Sequence, residues 1–477
     1  MKASSTRLLA ATSICLLLFL PLSTRGAAEV SSPNRLSRVS TRAGHAIRLR
    51  YDPAPSSVRI PPPQTLDMSR IQSATITVNY LTGGDLDGSP CYPWPEDARA
   101  AFGYGVNIWE SLIDSPVSIR INACWSELGE GILGSSGATT FHRDFSGAPV
   151  DGRWYQAALA NALSGSDLNE ADGYDDDGDG ADADAEMNIA YNRNFPWYFG
   201  TGGEPADYEV DFVSVVLHEV CHGLGFAGSM LKYGTLGYWG WGQSGYPAAY
   251  DQFTEEGGGG SGTSLLSYGS GTSALGSALT SGNVFFDGAN AREENGGVPP
   301  RLYTPASWQP GSSYSHLDYD TFNDTENQLM VWALSSGESA HSPGPVALGI
   351  LRDLGWTTHE VPSAPTIEAI TPSGALNGGT VHVAGLRGSH FQPGASVKLT
   401  RQNQQDIPGV NVSVVDTSLI TCDFDLNGAA AGSWSVVVTN PDGLSTTLVD
   451  GFRVFDAVAF DHTVHLPLVA RASSPGS

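Results

Sequence analysis

The sequence is poor in charged residues, and those present are mostly acidic. Of its 477 residues 16% are charged, with 24 Lys and Arg against 50 Asp and Glu, and the formal net charge is −26. Such a surface repels nucleic acid and anionic membranes, whereas it favours divalent cations. We therefore expect no nucleic-acid partner.

Long apolar runs are absent beyond the N-terminus. Lys2 and Arg7 precede a short apolar run, Leu8–Leu22, and small residues follow at Gly26–Ala28. This order is typical of a cleaved secretory signal over residues 1–28. An uncleaved anchor is the alternative, but the run is short for a membrane span. We expect a secreted, extracellular protein that has no stable membrane insertion after signal cleavage.

Cysteine is also scarce, with five in the chain, one of which lies in the signal. The other four are Cys91, Cys124, Cys221 and Cys422, and in a secreted protein a pair among them can be oxidised. Cys91 precedes a predicted helix and Cys124 follows a predicted strand. These two could meet at one end of a domain, which makes them the candidate disulfide pair.

The chain is too long for one ordinary hydrophobic core, so two or more domains are expected. Residues 29–70 are rich in Ser, Arg and Pro and are interpreted as a flexible N-terminal segment. An alternating strand pattern at Ser73–Leu81, a helix pattern from Pro95 and a second strand pattern from Val117 begin an α/β arrangement. The predicted fold class is α+β.

A short motif in the middle of the chain, "HEVCHG", carries the clearest chemistry. Asp211 is a good N-cap for a helix that glycines end just after the motif. His218 and His222 are four residues apart and share one face, so they can bind one metal ion together. Glu219 lies about 100° further round the axis and can serve as general base toward a water molecule there. A chance match of two surface histidines is the alternative, which the apolar helix and the glycine break disfavour.

Two histidines are too few for a catalytic zinc site, which usually takes three protein ligands. In the commonest compact form of the motif, the third histidine stands at the position that Gly228 occupies here. His316 and His341 are the downstream candidates. From spacing alone, either could complete the site.

The stretch "HEVCHGLGF", followed by a distant "SH", by "NQLM" and by "LRDLGW", resembles the leishmanolysin-like branch of the metzincin metalloproteases. The resemblance implies a zincin catalytic domain over residues 71–360, with the third histidine displaced by a long insertion. It implies these roles: His218, His222 and His316 as Zn²⁺ ligands, Glu219 as catalytic base, Met330 as the methionine of the turn beneath the metal, and Gly225 at the bend after the helix.

The C-terminal part of the chain has a different pattern. After the linker Val361–Pro365, turn signals separate short alternating strands, which predicts a small all-β sandwich over residues 362–455, followed by a tail over 456–477. "PTIEAITPSGALNGGTVHVAG", "GSHFQPGASVKL" and "GSWSVVVTNPDGLST" resemble an IPT/TIG domain, which has an immunoglobulin-like fold. The resemblance implies a module that positions the catalytic domain or attaches to a surface or matrix.

An acid-rich block precedes the central helix. Asp175, Asp177 and Asp179 alternate, a glycine follows, and Glu186 is twelfth from Asp175. This spacing matches a calcium-binding loop, which makes Ca²⁺ a second candidate cofactor. Asp182 stands where an apolar residue is usual, and the flanks do not read as paired helices. A solvated acidic loop whose carboxylates merely repel one another is the alternative.

Together these patterns predict a secreted zinc endopeptidase acting on a protein or peptide substrate. A surface-binding adhesin with a non-catalytic zincin domain is the alternative, which the intact Glu219 disfavours. Zinc hydrolysis of a non-peptide amide is a third hypothesis. The N-terminal segment shows no cysteine-switch pattern, and Cys91 does not stand in such a context.

Overall fold

The computed structural model describes residues 37–40, 46–63, 74–86, 88–169, 185–258, 261–359, 365–441 and 443–456. These residues form a mixed α/β structure with more strand than helix. The α-helices are α1 (Glu96–Leu112), α2 (Ala157–Ser164), α3 (Phe212–Gly223), α4 (Ser273–Ala278), α5 (Ala289–Glu294), α6 (Tyr319–Phe322) and α7 (Gly344–Leu354).

Strands run through both parts of the chain. Those of the first part are β1 (Ser37–Ser40), β2 (Ile47–Asp52), β3 (Arg59–Ile60), β4 (Ile76–Leu81), β5 (Asp85–Leu86), β6 (Ser89–Pro90), β7 (Ile119–Ser126), β8 (Ile132–Ala138), β9 (Thr140–Arg143), β10 (Tyr155–Gln156), β11 (Met187–Asn192), β12 (Trp197–Tyr198), β13 (Val210–Asp211), β14 (Leu231–Tyr233), β15 (Leu236–Tyr238), β16 (Thr254–Glu256), β17 (Thr263–Ser264), β18 (Val284–Phe286), β19 (Ala333–Ser335) and β20 (Ser339–Ala340). Those of the second part are β21 (Thr366–Thr371), β22 (Gly374–Leu376), β23 (Thr380–Ser389), β24 (Ser396–Thr400), β25 (Ile407–Asp416), β26 (Leu419–Asp425), β27 (Gly432–Thr439) and β28 (Ser445–Phe455).

The central sheet has six strands in the order β19-β2-β8-β11-β7-β4. β4, β7 and β11 are parallel, whereas β8 runs antiparallel to both β11 and β2. β2 and β19 are parallel to each other. Strand β8 is therefore the one strand of this sheet that runs against the rest.

Helices α1 and α3 pack against each other beside this sheet. The apolar face of α1 is buried, and Trp109 in its last turn donates its indole N–H to the carbonyl of Leu217 in α3 at 3.1 Å. A Cβ atom at Gly105 would lie 2.8 Å from the Val216 side chain, so the glycine permits the close approach of the two helices. This packing fixes α3, which carries the "HEVCHG" motif.

Part of the segment expected to be flexible is instead built into the sheets. Within residues 29–70, β2 pairs with both β8 and β19, and β3 pairs with β20. Ile47 and Leu49 are buried, whereas Arg48 and Arg50 between and after them are half-buried. This alternation is a strand pattern. The surrounding sequence is rich in Ser, Arg and Pro, and this composition hides the strand pattern.

The second part of the chain forms an eight-stranded sheet in the order β21-β23-β26-β25-β24-β27-β28-β22. Its two halves are joined where β24 pairs with β25, so the expected sandwich takes the form of one continuous, nearly closed sheet. Its core includes Trp434, Phe424 and Phe452 and shares no residue with the core around α1 and α3.

Two of the four cysteines beyond the signal are paired and two are free. The candidate pair Cys91 and Cys124 forms a disulfide, with their Cα atoms 5.1 Å apart. Cys221 and Cys422 are buried free thiols. No helix in the described part of the chain has the length and apolar character needed to cross a membrane.

Candidate metal centre

Helix α3 begins as its sequence predicts. The carboxylate of Asp211 accepts hydrogen bonds from the Ser214 backbone N–H at 2.7 Å and from the Ser214 hydroxyl at 2.6 Å, which caps the N-terminus. Every residue of α3 is buried. A helix that is buried on all sides holds its side chains in fixed positions, which suits a metal site.

Three histidines from distant parts of the chain meet at one point. The Nε2 atoms of His218 and His222 are 3.0 Å apart, and each lies 3.2 Å from Nε2 of His316. All three side chains are at most 1% exposed. The structure therefore brings His316 to the helix pair.

His341, the other candidate for the third position, lies elsewhere. Its Nε2 is 2.9 Å from the carboxylate of Asp211, at the opposite end of α3 from His222. There it is buried against the N-cap. We assign it a structural role at the start of the helix.

Each histidine of the triad is held by a backbone carbonyl on its Nδ1 side. A carbonyl oxygen can only accept, so each Nδ1 carries the proton and each Nε2 presents a bare lone pair. Burial lowers the pKa of His218 to about 4 and the pKa values of His222 and His316 well below their usual range, so the rings are neutral. The acceptors are Leu329 O for His218 (2.6 Å), Phe226 O for His222 (2.7 Å) and Ser312 O for His316 (2.7 Å).

Three lone pairs that converge in a buried space cannot satisfy one another, because none has a proton to donate. A cation between them would be coordinated by all three nitrogen lone pairs. Neutral imidazole nitrogens are common metal ligands. Their ligand atoms lie within 4.8 Å of one another, so this group could hold a metal ion. The residues present fit such an ion.

The bend after the helix orients His222, one of the three histidines. Gly225 has φ +125°, a conformation that side-chain-bearing residues rarely adopt, and it directly follows the helix end at Leu224. The turn brings the carbonyl of Phe226 to Nδ1 of His222. Gly225 is thus where the chain bends, as the resemblance implies.

The turn that contains Met330 positions His218 and the loop that carries His316. Gln328–Met330 is a short 3₁₀ turn in which Met330 is fully buried. The carbonyl of Leu329 binds His218, while the carbonyl of Met330 accepts the N–H of Leu317, the residue after His316. One turn therefore connects His218 of the helix to the loop that carries His316.

Glu219 is fully buried beside strand β8. A Cβ atom at Gly134 of β8 would lie 2.6 Å from Oε1 of Glu219, so glycine leaves room for the carboxylate. Oε1 accepts the backbone N–H of Leu49 at 3.3 Å, and Oε2 has no hydrogen-bond partner among the described residues. Burial raises the pKa of Glu219 well above its usual range, and the Leu49 N–H opposes this. A raised pKa suits a group that takes up a proton.

Asp251 and Tyr314 support the site, and sequence reasoning missed both. Asp251 is buried and accepts hydrogen bonds from Ser229 N–H (2.9 Å), Ala248 N–H (2.8 Å) and Tyr314 O–H (2.9 Å). A Cβ atom at Gly228 would lie 2.1 Å from the ring of Tyr314. Packing against Tyr314 therefore requires glycine at the position where a compact motif has histidine. A lone Asp among aromatic residues carries no signal for this role.

One of the four candidate calcium ligands, Glu186, lies within the described residues. Asp175, Asp177 and Asp179 fall outside the described residues. Glu186 is buried just before β11, where its carboxylate accepts the Arg120 N–H at 2.5 Å and the Asn161 side-chain amide at 2.9 Å. Burial raises the pKa of Glu186 to about 7. Because it is buried, the carboxylate of Glu186 favours either a bound proton or a nearby cation.

A cavity of about 380 Å³ opens beside the triad. Its walls come from the start of β2, from β8 and from the chain after α3. They include Ile47, Ser135, Phe141, His222 and Trp241. The cavity is a space beside His222 that side chains of a bound molecule can fill.

Comparisons with known proteins add little to this geometry. A family model described as SPBPB7E8-like matches residues 180–234, which contain His218, Glu219 and His222 but not His316. A search of curated proteins found no match, and neither did a search of solved structures.

Proposed function

We propose that the protein is a zinc endopeptidase, similar to the leishmanolysin-like metzincins, in which His218, His222 and His316 hold Zn²⁺ and Glu219 is the general base. The observation that carries the proposal is the convergence of three neutral imidazole nitrogens from one helix and one distant loop. Three histidines are a donor set that catalytic zinc sites use, with a further position left for water or substrate.

The proposed chemistry divides among the chain's own groups. When bound, Zn²⁺ supplies a Lewis acid that makes water a nucleophile near neutral pH. Glu219 takes a proton from the attacking water and delivers it to the nitrogen of the departing amine, so that the carbonyl carbon gains an oxygen as its bond to nitrogen breaks. The carbonyls of Leu329, Phe226 and Ser312 hold the three rings in one tautomer and one orientation.

The extended backbone beside the site favours a peptide substrate over a small amide. An extended stretch of backbone, β2, runs between β8 and β19, and its N–H at Leu49 reaches Glu219. A site that accommodates an extended chain in this way has the shape that peptide hydrolysis needs.

Secretion and surface attachment are part of the proposal. The Cys91–Cys124 disulfide supports an oxidising, extracellular location. The separate core of the C-terminal strands supports an independent module, which we propose is IPT/TIG-like, with an immunoglobulin-like fold. Such a module would attach the enzyme to a surface or matrix.

The test combines zinc content with hydrolysis of casein. Because the Leu49 N–H binds Glu219 in this structure, hydrolysis is measured on the intact chain and on Leu49→Pro, which lacks that N–H. The proposal requires about one zinc per chain and hydrolysis that stops with a chelator and returns with zinc. Stoichiometric zinc without any hydrolysis by either protein would favour the adhesin alternative.

A further inference from the structure

We propose that Trp241 determines the substrate specificity of the site. Together with Phe141 it forms an aromatic wall of the cavity beside His222. This wall selects peptides that carry a phenylalanine, tyrosine or tryptophan side chain close to the bond that is cleaved. This inference rests on the proposed peptidase function, and it names the class of substrate.

Trp241 is held in a backbone conformation that a tryptophan rarely adopts. Its φ is +53°, and the glycines on either side, Gly240 and Gly242, have φ +64° and +69°. Glycine adopts such left-handed angles freely, whereas a residue with a large side chain does so at a cost. Non-glycine residues in this region concentrate at binding and catalytic sites, where the surrounding structure holds them. The strain at Trp241 therefore points to a role for its side chain.

Hydrogen bonds to a buried pair, Ser229 and Asp251, hold Trp241 in this conformation. The N–H of Trp241 donates to the carbonyl of Ser229 at 2.9 Å, and the N–H of Gly240 donates to the Ser229 hydroxyl at 2.8 Å. Beyond the turn, the N–H of Ala248 donates to the Asp251 carboxylate at 2.8 Å. Both Ser229 and Asp251 are fully buried. The segment 240–248 is thus anchored at both ends to one cluster.

The same cluster positions the loop of the third histidine. The Asp251 carboxylate accepts a hydrogen bond from the hydroxyl of Tyr314 at 2.9 Å, and Tyr314 is two residues before His316. The N–H of Gly228 donates to the hydroxyl of Ser315 at 3.2 Å. One cluster therefore fixes the aromatic wall relative to the candidate metal ligand.

The ring of Trp241 packs on Phe141 and still borders open space. The two ring centroids are 4.4 Å apart, with an angle of 54° between the ring planes. With Ala138 and Trp154 the two rings form a small apolar cluster separate from the main core, and Trp241 is only half-buried there. Aromatic rings contact one another favourably in offset-stacked or edge-to-face pairs. The open part of the Trp241 ring therefore offers a surface against which a flat side chain can pack.

The size and charge of the cavity favour one apolar side chain. Its volume of about 380 Å³ is at the small end for ligand sites, so it suits a side chain better than a whole ligand. Its lining beside His222 includes Ala227 and Gly228, which occupy little space. The charged residues of its described lining, Arg48 and Glu127, have opposite signs. Their charges offset each other, so the cavity favours neither an acidic nor a basic side chain.

The test begins with binding, which needs no turnover. The probes are N-acetyl-phenylalaninamide and N-acetyl-alaninamide, which differ only in the side chain, and each is titrated against the full-length protein by saturation-transfer NMR. Glycine at position 241 removes the ring but adopts the left-handed backbone without strain. We expect Trp241→Gly to bind the phenylalanine probe at least ~10-fold more weakly than the wild type, because an apolar contact of this size is lost.

Two further variants separate the ring from the loop. Trp241→Phe restores a flat ring and should regain most of the affinity for the phenylalanine probe. Trp239→Ala is the matched control, because it removes a tryptophan of the same segment that packs against the main core, and it should leave that affinity unchanged. Should Trp241→Gly fail to fold, Phe141→Leu takes its place, with the same expected loss.

Two results would overturn the inference. One is equal affinity of the wild type and the folded Trp241→Gly protein for the phenylalanine probe. The other is a wild type that binds the phenylalanine probe no better than the alanine probe.

Hydrolysis of a mixed peptide library distinguishes this inference from the peptidase proposal. The Leu49→Pro chain should cut beside aromatic residues, and adding Trp241→Gly should lower the ratio of kcat/KM for phenylalanine over alanine peptides at least ~10-fold. Binding of the phenylalanine probe without any hydrolysis would end the peptidase proposal and leave the aromatic wall standing. Hydrolysis with the same preference in both proteins would leave the peptidase proposal standing and end the role of Trp241.

Discussion

Nε2 of His316 lies 3.2 Å from Nε2 of His218, although 98 residues separate them in the chain. One turn of the chain, just before Val331, contacts both partners. The carbonyl of Leu329 accepts a hydrogen bond from His218, and the carbonyl of Met330 accepts one from Leu317, the residue after His316. The fold therefore returns His316 to α3 across the long stretch of chain that separates them.

Replacement of Glu219 should separate metal binding from catalysis. Glu219→Gln in the Leu49→Pro protein should keep zinc and fold, because Glu219 is not among the three residues whose nitrogen atoms converge. Hydrolysis of casein should fall by at least ~100-fold, a typical contribution of a general base. Zinc content and initial rate are the measurements. Undiminished hydrolysis with a full complement of zinc would remove Glu219 from its role.

Replacement of His316 should empty the metal site. His316→Ala leaves two histidine ligands, which hold zinc far more weakly than three. We expect most of the zinc to be lost after dialysis, as measured by elemental analysis of the purified protein.

His341→Ala is the matched control for that experiment, since it removes another fully buried histidine near α3. Its loss should lower the melting temperature, because Asp211 loses a partner at the helix N-cap, but zinc should stay. Zinc loss from His341→Ala with retention in His316→Ala would reverse the ligand assignment.

The C-terminal strands should be dispensable for catalysis. Their core shares no residue with the core that carries α3, so each part can fold alone. A chain ending near Glu360, with Leu49→Pro, should cleave a small peptide at a rate close to that of the longer protein. A folded truncation without any activity would contradict this independence.

The contribution of Glu186 to stability without added metal should fall as pH rises from about 5 to about 7. Burial raises the pKa of Glu186 from 4.5 to about 7. At this carboxyl the folded protein keeps a proton that the unfolded chain releases in this window, so its contribution to stability falls with pH. The lowered pKa values of His218, His222 and His316 act in the opposite direction in both proteins, so the measurement is the difference in melting temperature between the wild type and Glu186→Gln, in chelator at several pH values. The wild type should lose melting temperature relative to Glu186→Gln as pH rises, and a constant difference would contradict the assignment.

Calcium should reverse part of that loss if the acid-rich block binds it. A cation favours the ionised carboxylate of Glu186 and neutralises the repulsion among its neighbours in the sequence. Calorimetry should show heat of binding and a raised melting temperature for the wild type, and neither for Asp177→Asn/Glu186→Gln. Equal behaviour of the two proteins would leave the solvated acidic loop as the interpretation.

Much of the fold around the site follows local rules and could be predicted. The apolar periodicity of α1, the Asp211 cap of α3 and the Gly225 bend each depend on residues close in sequence. The pairing of His316 with α3 came from resemblance to a family. Spacing alone left His341 as an equal candidate.

Other features depend on contacts between distant segments. β2 was missed because a short alternation of Ile47 and Leu49 stands among Ser, Arg and Pro. The glycine-rich stretch after Glu255 has the composition of a flexible linker, yet its ends pair as β16 and β17. Asp251 gains its role only when Ser229 and Tyr314 fold around it. No local pattern encodes such a cluster.

The most direct test of the central claim is a zinc titration of peptide hydrolysis by the Leu49→Pro protein after complete removal of metal with a chelator. The account predicts no hydrolysis without zinc, and a rate that rises with added zinc and levels off at about one ion per chain. Hydrolysis at full rate in the metal-free protein, or none when zinc is bound, would contradict a zinc peptidase built on His218, His222 and His316.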